Sequence, residues 1–305
     1  MRLFLQKQLR RVQQVWGDAN IWVPGERRHW MQHPLVQERI NRKVTRDAHI
    51  DRFQYFLNAY LKDRLPVECA LTLGCGAGDL ERGLSQYNFA KLHDAIDVSE
   101  TAIHQAKQQA EAAGLPQIRY RLADLNSLEL DPDRYDVIFG VSSVHHVAGL
   151  ERLYEQVQRA LRPGGYFFLD EYIGPTQFQW TDEQLEAINA ELRSLPGTLR
   201  RSVSEPGEVK QKVIRKTIEY MNAADPSEAI RSAEIVPVLS RYFRILEFRG
   251  YGGSLLHELL FDITGNFDER NPGSLEQLRR LFQVEDDLIA SGRLKDDFAV
   301  IIATR

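Results

Sequence analysis

The segment Leu71–Leu80 has residue types and spacing suited to ligand binding. It reads Leu-Thr-Leu-Gly-Cys-Gly-Ala-Gly-Asp-Leu, an apolar run that passes into a glycine-rich turn and then into helical sequence. Glycine permits positive φ and close approach of a ligand, and free NH groups at a helix start face that ligand. A dinucleotide fingerprint would place its third glycine at position 79, which is Asp79, and a P-loop would end in Gly-Lys-Ser/Thr. The segment therefore predicts a nucleotide-type site, and an acidic residue at the helix start is a poor neighbour for a pyrophosphate but tolerable beside a cationic ligand.

Two aspartates follow at the predicted ends of the next two strands. Asp97, in Asp-Ala-Ile-Asp-Val, is placed to accept hydrogen bonds from both hydroxyls of an unphosphorylated ribose. Its alternative is an Asx-type turn before the helix that Ser99 would cap. Asp124, in Ala-Asp-Leu, could accept a bond from an adenine amino group, but aspartate at a strand end is also ordinary turn chemistry.

Further polar residues lie at the ends of the fourth and fifth predicted strands. The pair His145-His146 follows the fourth strand, where a neutral imidazole could take a proton from an acceptor hydroxyl. Asp170-Glu171-Tyr172 ends the fifth strand and offers carboxylates or a phenol to a substrate, with structural hydrogen bonds at a strand end as the alternative. We take the two histidines as candidate catalytic residues and these three as candidate substrate-binding residues.

The elements that must position these residues form an alternating pattern. Short β-rich runs alternate with helical stretches, which predicts βαβ units and a doubly wound parallel sheet. The predicted strands are Val67–Leu73, Lys91–Val98, Ile118–Ala123, Tyr135–Val141, Gly165–Ile173, Phe243–Gly250 and Asp297–Thr304. The predicted helices are Ala48–Arg64, Asp79–Tyr87, Ser99–Ala113, Leu150–Leu161, one from near Thr181, Ser254–Thr264 and Ser274–Ser291. Asp47 is the predicted N-cap of the first of these helices, which we expect to cover the sheet.

The pattern divides the chain into four segments. We predict an N-terminal helical cover over residues 1–65 and an α/β core over residues 66–174. Residues 175–240 lack the strand and helix alternation and are too long for one crossover, so we expect a helical insertion above the sheet. Residues 241–305 complete the sheet.

Five segments together resemble the class I S-adenosylmethionine-dependent methyltransferases. They read Leu-Gly-Cys-Gly-Ala-Gly-Asp-Leu, Ile-Asp-Val-Ser, Leu-Ala-Asp-Leu, Tyr-Asp-Val-Ile-Phe and Ala-Leu-Arg-Pro-Gly-Gly-Tyr-Phe. The resemblance implies a seven-stranded sheet of order 3-2-1-4-5-7-6 with the seventh strand antiparallel. It also implies S-adenosyl-L-methionine as cofactor and S-adenosyl-L-homocysteine as product.

The resemblance assigns cofactor contacts to particular residues. Gly74, Gly76 and Gly78 would surround the methionine part, Asp97 would hold the ribose, and Asp124 would contact adenine. Val141 and Ser142 would lie beneath the sulfonium. The remaining implied cofactor contacts are Cys75, Val98 and Leu125, although Cys75 also reads as a small loop residue without a reactive partner.

Motifs that are absent from this chain narrow the range of possible methyl acceptors. Family members that methylate exocyclic amines of adenine or protein glutamine carry Asn/Asp-Pro-Pro-Tyr after the fourth strand, where this chain has Ser142-Ser143-Val144-His145. The cytosine-C5 enzymes need a nucleophilic cysteine, and neither Cys69 nor Cys75 is suitably placed. No cluster of Asp and Asn clearly matches the metal site of the catechol-type enzymes, so we predict no metal, while the sequence alone leaves one open.

Composition and charge exclude several classes of protein. The chain of 305 residues has 39 basic and 43 acidic side chains, a net charge of −4, and 43% hydrophobic residues. These values exclude a fibrous or wholly disordered chain and argue against a non-specific nucleic-acid binder. Two cysteines without a disulfide framework predict a cytoplasmic location. No apolar run reaches the length of a membrane span.

Two local basic patches lie at residues 26–52 and 200–216. The first has seven Arg or Lys against four Asp or Glu, and the second has six against two. Solvated helix faces are the ordinary interpretation. The other interpretation is that these residues bind a carboxylate or phosphate of the acceptor.

The sequence thus predicts methyl transfer to a small-molecule or glycan-like acceptor, most simply at oxygen, by in-line displacement. Three alternatives stay open: a non-catalytic protein that keeps the cofactor pocket, an RNA methyltransferase, which the net charge disfavours, and a dinucleotide-dependent oxidoreductase, which Asp79 disfavours.

Overall fold

The computed structural model describes residues 27–305, and its centre is one seven-stranded sheet. The strand order is β3-β2-β1-β4-β5-β7-β6, and β7 runs antiparallel to both β5 and β6. The strands are β1 (Val67–Leu73), β2 (Ala90–Asp97), β3 (Ile118–Leu122), β4 (Tyr135–Val141), β5 (Leu161–Tyr172), β6 (Arg244–Gly252) and β7 (Phe298–Thr304). The predicted order and the antiparallel last strand are confirmed.

The middle of the sheet is covered on both faces. Every residue of β7 is buried, as is every residue of β4 before Val141. Strands of this kind bury both faces and are therefore mainly apolar in sequence, which makes them recognisable without the structure. The carboxyl ends of β1, β2, β4 and β5 meet at one edge, where ligands bind in open α/β sheets.

Ten α-helices occur among residues 27–305. They are α1 (Pro34–Thr45), α2 (Arg52–Tyr60), α3 (Asp79–Ser85), α4 (Glu100–Ala112), α5 (Leu150–Ala160), α6 (Asp182–Ser194), α7 (Ile218–Ala224), α8 (Ile235–Tyr242), α9 (Leu256–Leu260) and α10 (Pro272–Ala290). The helix predicted over Ser254–Thr264 is shorter than expected, because the chain turns out of the helix after Leu260. No described helix is both long and apolar enough to cross a membrane.

The N-cap predicted at Asp47 is wrong. Asp51 caps α2 instead, since its Oδ1 accepts hydrogen bonds from the NH groups of Phe53 at 2.8 Å and Gln54 at 2.9 Å. Asp47 lies in a separate turn, where its carboxylate accepts a bond from the NH group of His49. Both aspartates satisfy free NH groups, but only Asp51 does so at a helix start.

Helix α2 covers the sheet, as its apolar spacing predicts. The ring of Phe56 lies 5.1 Å from that of Phe168 and 6.0 Å from that of Phe139, centre to centre. The part of the predicted N-terminal cover formed by residues 1–26 lies outside the described residues. The four segment boundaries stay predictions.

The predicted insertion lies against the carboxyl edge of the sheet. The NH group of Ile230 donates to the carbonyl oxygen of His145 at 3.1 Å, and Ser232 Oγ donates to the carbonyl oxygen of Gly174 at 2.8 Å. Helix α6 is joined to the start of β7 by a bond from Gln184 Nε2 to Asp297 Oδ2 at 2.8 Å. These contacts bring side chains of the insertion beside His145.

Candidate functional site

The three glycines of the loop after β1 have different surroundings. All three have positive φ: +68° at Gly74, +52° at Gly76 and +81° at Gly78. A Cβ at position 74 would lie 2.4 Å from Ser143 Cβ, and one at position 78 would lie 2.3 Å from Tyr120 Oη. A Cβ at position 76 would meet nothing within 4 Å. Gly74 and Gly78 therefore allow close packing, whereas Gly76 faces open space that a ligand can enter.

Cys75, between these glycines, is buried and unpaired. Burial raises the pKa of its thiol, with Glu81 and Asp97 adding to the effect. A thiol in such surroundings is not a nucleophile, which agrees with a small loop residue.

Asp97 joins the glycine loop to the helix that follows β2. Its Oδ2 accepts from the NH group of Gly76 and its Oδ1 from the NH group of Ser99, both at 2.8 Å. Burial raises the pKa of the Asp97 carboxyl, against the effect of these backbone bonds. The Asx-type turn is therefore present. Since each carboxylate oxygen can accept a second bond, the turn is compatible with a ribose contact beside Gly76.

Asp124 occupies a turn after β3. Its Oδ1 accepts from the backbone NH of Asn126 at 2.9 Å and from that residue's Nδ2 at 3.2 Å. Asn126 Oδ1 in turn accepts from the NH group of Ala148 at 2.9 Å, which ties this turn to the loop after His146. These contacts are those expected of an aspartate that stabilises a turn at a strand end. The contacts of Asp124 and Leu125 with adenine stay predictions.

The end of β4 lies directly on the glycine loop. Ser142 has a positive φ of +48°, a conformation that non-glycine residues rarely adopt outside turns and functional sites. Its NH group donates to the carbonyl oxygen of Asp170 at 2.9 Å, and Ser143 Oγ donates to the carbonyl oxygen of Leu73 at 2.6 Å. The end of β4 thus lies beside the loop, and the positions of Val141 and Ser142 beneath the sulfonium stay predictions.

Glu171 is fully buried and holds the turn that carries His145. Its Oε1 accepts from the NH groups of Ser143 at 2.8 Å and Val144 at 2.7 Å, and its Oε2 lies 2.7 Å from His145 Nδ1. These contacts are structural hydrogen bonds at a strand end, the alternative to substrate binding, and binding of a substrate by Glu171 stays a prediction. Its contacts fix the ring orientation of His145.

His145 and His146 meet Glu228, a residue of the insertion. His145 Nε2 lies 3.7 Å from Glu228 Oε1, and His146 Nε2 lies 3.9 Å from Glu228 Oε2. Burial opposes protonation of His145, but Glu171 and Glu228 outweigh it and raise its pKa. Burial and the neighbouring His145 hold the pKa of His146 well below its ordinary value, and burial raises the pKa of Glu228 to about 7. Neighbouring groups with pKa values pushed apart are typical of functional sites.

Asp170 and Tyr172 have partners inside the protein. Asp170 forms an ion pair with Arg52 of α2 and accepts a hydrogen bond from Tyr251 Oη of β6 at 2.7 Å. Tyr172 Oη donates to the carbonyl oxygen of Pro175 at 3.1 Å. Both side chains are almost fully buried. Their contacts are the structural hydrogen bonds at a strand end that we named as the alternative to substrate binding.

Members of both basic patches also bind groups of the protein. In the first patch, Arg52 pairs with Asp170 and Arg39 pairs with Glu285 at 2.8 Å. In the second, Lys210 Nζ donates to the carbonyl oxygens of Glu258 at 2.6 Å and Phe261 at 2.8 Å. These contacts hold segments of the fold together, and binding of an acidic acceptor group by the patches stays a prediction.

Sequence reasoning missed Glu228 and its neighbours Ser227 and Asp225. They lie in the polar insertion, far along the chain from His145, and match no motif. Their only sequence signal is the segment Asp225-Pro226-Ser227 that leads into Glu228, which predicts a turn and no chemistry.

Comparisons with known proteins agree with this architecture. A sequence profile described as a methyltransferase domain matches residues 70–165. The ubiquinone biosynthesis O-methyltransferase of Methylobacterium sp. (strain 4-46) is 34% identical over 96 residues, which cover 32% of this chain and 37% of that protein. The sterol 24-C-methyltransferase of Yarrowia lipolytica is 24% identical over 169 residues, which cover 55% of this chain and 42% of that protein. The matches therefore span less than half the length of these curated relatives.

A solved structure matches nearly the whole chain. It is the geranyl diphosphate C-methyltransferase of Streptomyces coelicolor A3(2), in complex with Mg²⁺, geranyl diphosphate and S-adenosyl-L-homocysteine. The TM-score is 0.55 at 12% identity, over 98% of this chain and 97% of that one. At this identity the match shows a shared fold.

Proposed function

Residues 70–165 form a class I methyltransferase domain, and on that premise we propose that the protein transfers the methyl group of S-adenosyl-L-methionine to a small-molecule acceptor at oxygen. The products are the methylated acceptor and S-adenosyl-L-homocysteine. The cytoplasmic location stays a prediction from the cysteine content.

The observation that carries this proposal is the joining of two loops at the carboxyl edge. The Asp97 carboxylate lies on Gly76, whose α-carbon faces open space. Ser143 packs on Gly74 and continues into the turn that carries His145. The glycine loop after β1 and the two histidines are therefore neighbours, as the transfer of a methyl group from a bound cofactor to a bound acceptor requires.

Oxygen as the accepting atom is supported by the His145 environment. A hydroxyl must lose its proton as the methyl group arrives, whereas an amine or thiol needs less help. The cluster of His145, His146 and Glu228 combines groups of raised and lowered pKa beside the loop, so we assign removal of the acceptor proton to this cluster. Of the two curated relatives named above, one is an O-methyltransferase and the other a C-methyltransferase.

The test is calorimetric titration with S-adenosyl-L-methionine and S-adenosyl-L-homocysteine. We expect micromolar dissociation constants for both, about tenfold or more weaker binding in Asp97→Ala, and no binding of NAD. Ser99→Ala is the matched control, because it changes the adjacent helix cap and leaves the Asp97 carboxylate in place. No binding of either adenosyl ligand to the folded protein would overturn the cofactor proposal.

Methyl transfer is then tested by incubating the protein with methyl-labelled cofactor and a panel of phenols, sugars and other alcohols, together with matched amines, thiols and carbon acceptors. Label in an acceptor as an acid- and base-stable ether supports the proposal. Label recovered only in amines, thiols or carbon acceptors would contradict the assignment to oxygen.

A further inference from the structure

Three side chains from two segments converge near the glycine loop, and each carries an atom that can bind a metal ion. One potential ligand atom each from His145, His146 and Glu228 lies within 4.8 Å of the other two. The two imidazole Nε2 atoms lie 3.7 Å and 3.9 Å from the Glu228 oxygens. Ligands bound at about 2.1 Å to one ion are about 3.0 to 3.4 Å apart, so small side-chain rotations bring these atoms to coordination distance.

The other ring nitrogen of each histidine is already oriented by a hydrogen bond. His145 Nδ1 lies 2.7 Å from the Glu171 carboxylate, which accepts its proton. Ser227 Oγ donates to Asp225 Oδ1 at 2.7 Å, so that hydroxyl accepts from His146 Nδ1, which lies 3.1 Å away. In the neutral form of each ring, which is the form that binds a metal, the proton is therefore on Nδ1 and Nε2 presents a lone pair. Histidines that bind metals almost always donate their other ring NH group to an acceptor such as a carboxylate, a backbone carbonyl or water, and the Glu171 carboxylate and the Ser227 hydroxyl are the acceptors here.

Charge and exposure favour a cation at the same place. Three carboxylates, those of Glu171, Asp225 and Glu228, surround the two imidazoles. The side chains of His145, His146 and Glu228 retain 9%, 17% and 20% exposure, so the cluster is enclosed but reachable from solvent.

We propose that His145, His146 and Glu228 bind one divalent transition-metal ion. Two imidazole nitrogens and one carboxylate suit Zn²⁺, Fe²⁺, Co²⁺ or Mn²⁺, whereas Mg²⁺ and Ca²⁺ prefer sites made of oxygen ligands. Three protein ligands leave at least one coordination position for water or a substrate oxygen, as in catalytic sites.

The role of the ion rests on the proposed function. Bound to the ion, an acceptor hydroxyl loses its proton to solvent more readily because the ion lowers its pKa. The carbon–sulfur bond of the sulfonium then breaks as the carbon–oxygen bond forms, and S-adenosyl-L-homocysteine leaves. The cluster thus brings about the proton loss assigned to it above by holding the ion, with His145, His146 and Glu228 as ligands rather than as the proton acceptor.

Metal binding is tested without any methyl transfer, so the two proposals can fail separately. Tag-free protein is dialysed against chelator and then titrated with Co²⁺ and Zn²⁺, with visible absorption of Co²⁺ and calorimetry of Zn²⁺ as readouts. The variants are His146→Ala and Glu228→Gln. The controls are His104→Ala and Glu219→Gln, which change exposed residues of the same types elsewhere.

We expect about one ion per chain, ligand-field bands of Co²⁺ that Zn²⁺ abolishes and Mg²⁺ does not, and at least about tenfold weaker Zn²⁺ binding in both site variants. The controls should bind as the unaltered protein does. If one site variant does not fold, the other variant and the Co²⁺ spectrum decide the matter. Binding of less than about a tenth of an equivalent, or equal affinity in site variants and controls, would overturn the proposal.

Discussion

The Glu171 carboxylate lies 2.7 Å from His145 Nδ1 while its other oxygen accepts two backbone NH groups of the same turn. One buried side chain thus fixes both the path of the turn and the orientation of the ring it carries. Both contacts are made by a side chain that is fully buried.

Glu171→Gln should reduce methyl transfer far more than cofactor binding. The amide oxygen can still accept the two backbone bonds, but the amide nitrogen cannot accept the proton on His145 Nδ1, so the ring loses its orientation. We expect kcat to fall by about 10- to 100-fold, with the dissociation constant for S-adenosyl-L-methionine changed less than about twofold. Steady-state kinetics and calorimetry measure the two quantities. Glu111→Gln, an exposed change on α4, is the control, and equal losses in kcat and cofactor affinity would contradict a positioning role.

Gly76→Ala should separate ligand binding from folding. Alanine at φ +52° costs about 1 to 2 kcal/mol in free energy of unfolding, but no protein atom lies within 4 Å of its Cβ. Gly114→Ala is a matched control, because φ there is +66°, the surroundings are equally open, and the position lies away from the site. We expect similar losses of stability in both variants by urea denaturation and weaker cofactor binding only in Gly76→Ala. Unchanged cofactor affinity in Gly76→Ala would show that no ligand approaches this loop.

Gly74→Ala should be more damaging than either of these changes. Its Cβ would lie 2.4 Å from Ser143 Cβ, so the β4 turn must move away from the glycine loop. We expect a loss of at least about 3 kcal/mol in free energy of unfolding, since strain at positive φ adds to overpacking. A stability equal to that of Gly114→Ala would contradict the close approach of these two loops.

The sequence predicted the sheet well because its signals are local. Central strands such as β1 and β4 are buried over most of their length and are mainly apolar in sequence, with Glu68 and Asp136 as charged residues near their starts. The glycine loop and Asp97 were also identifiable, since a turn with positive φ and a carboxylate at the end of the next strand are fixed by short segments. The wrong N-cap shows the limit of this reasoning. The apolar pattern alone does not decide between Asp47, which we predicted, and Asp51, which caps the helix in the structure.

Side-chain partners from distant segments could not be predicted. Asp170 contacts Arg52 of α2 and Tyr251 of β6, and His145 lies beside Glu228 of the insertion. No periodicity or spacing encodes which charged residues a tertiary fold brings together. The acidic residues at the end of β5 therefore looked available to a substrate, although the folded chain surrounds them with partners.

The buried pair of Arg52 and Asp170 should contribute strongly to stability. Either Arg52→Met or Asp170→Asn leaves the other charge buried, which costs about 3 to 5 kcal/mol in free energy of unfolding. We expect the double variant to lose at least about 1 kcal/mol less than the sum of the two single losses, by urea denaturation. The control is Lys91→Met at the exposed pair with Glu68, which should cost less than about 1 kcal/mol. Additive losses at Arg52 and Asp170 would contradict the coupling.

Asp297 should make the stability of the protein depend on pH. Burial raises the pKa of this carboxyl from 3.8 to about 7, against the hydrogen bond from Gln184 Nε2. Between about pH 4 and pH 7 the folded chain therefore holds a proton that the unfolded chain has lost. Stability from this group is present at low pH and is lost as pH rises through that window, at about 1.4 kcal/mol for each unit of pKa shift.

Asp297→Asn removes the titration and keeps an oxygen that can accept the bond from Gln184. The variant should therefore gain free energy of unfolding relative to the unaltered protein as pH rises from 4 to 8, by an amount on the order of a few kcal/mol. Urea denaturation across this pH range measures the difference, and Asp182→Asn, at the exposed first position of α6, should show none of comparable size. A difference between Asp297→Asn and the unaltered protein that stays constant with pH would mean that Asp297 is ionised throughout. The bond from Gln184 would then hold a charged carboxylate at the start of β7.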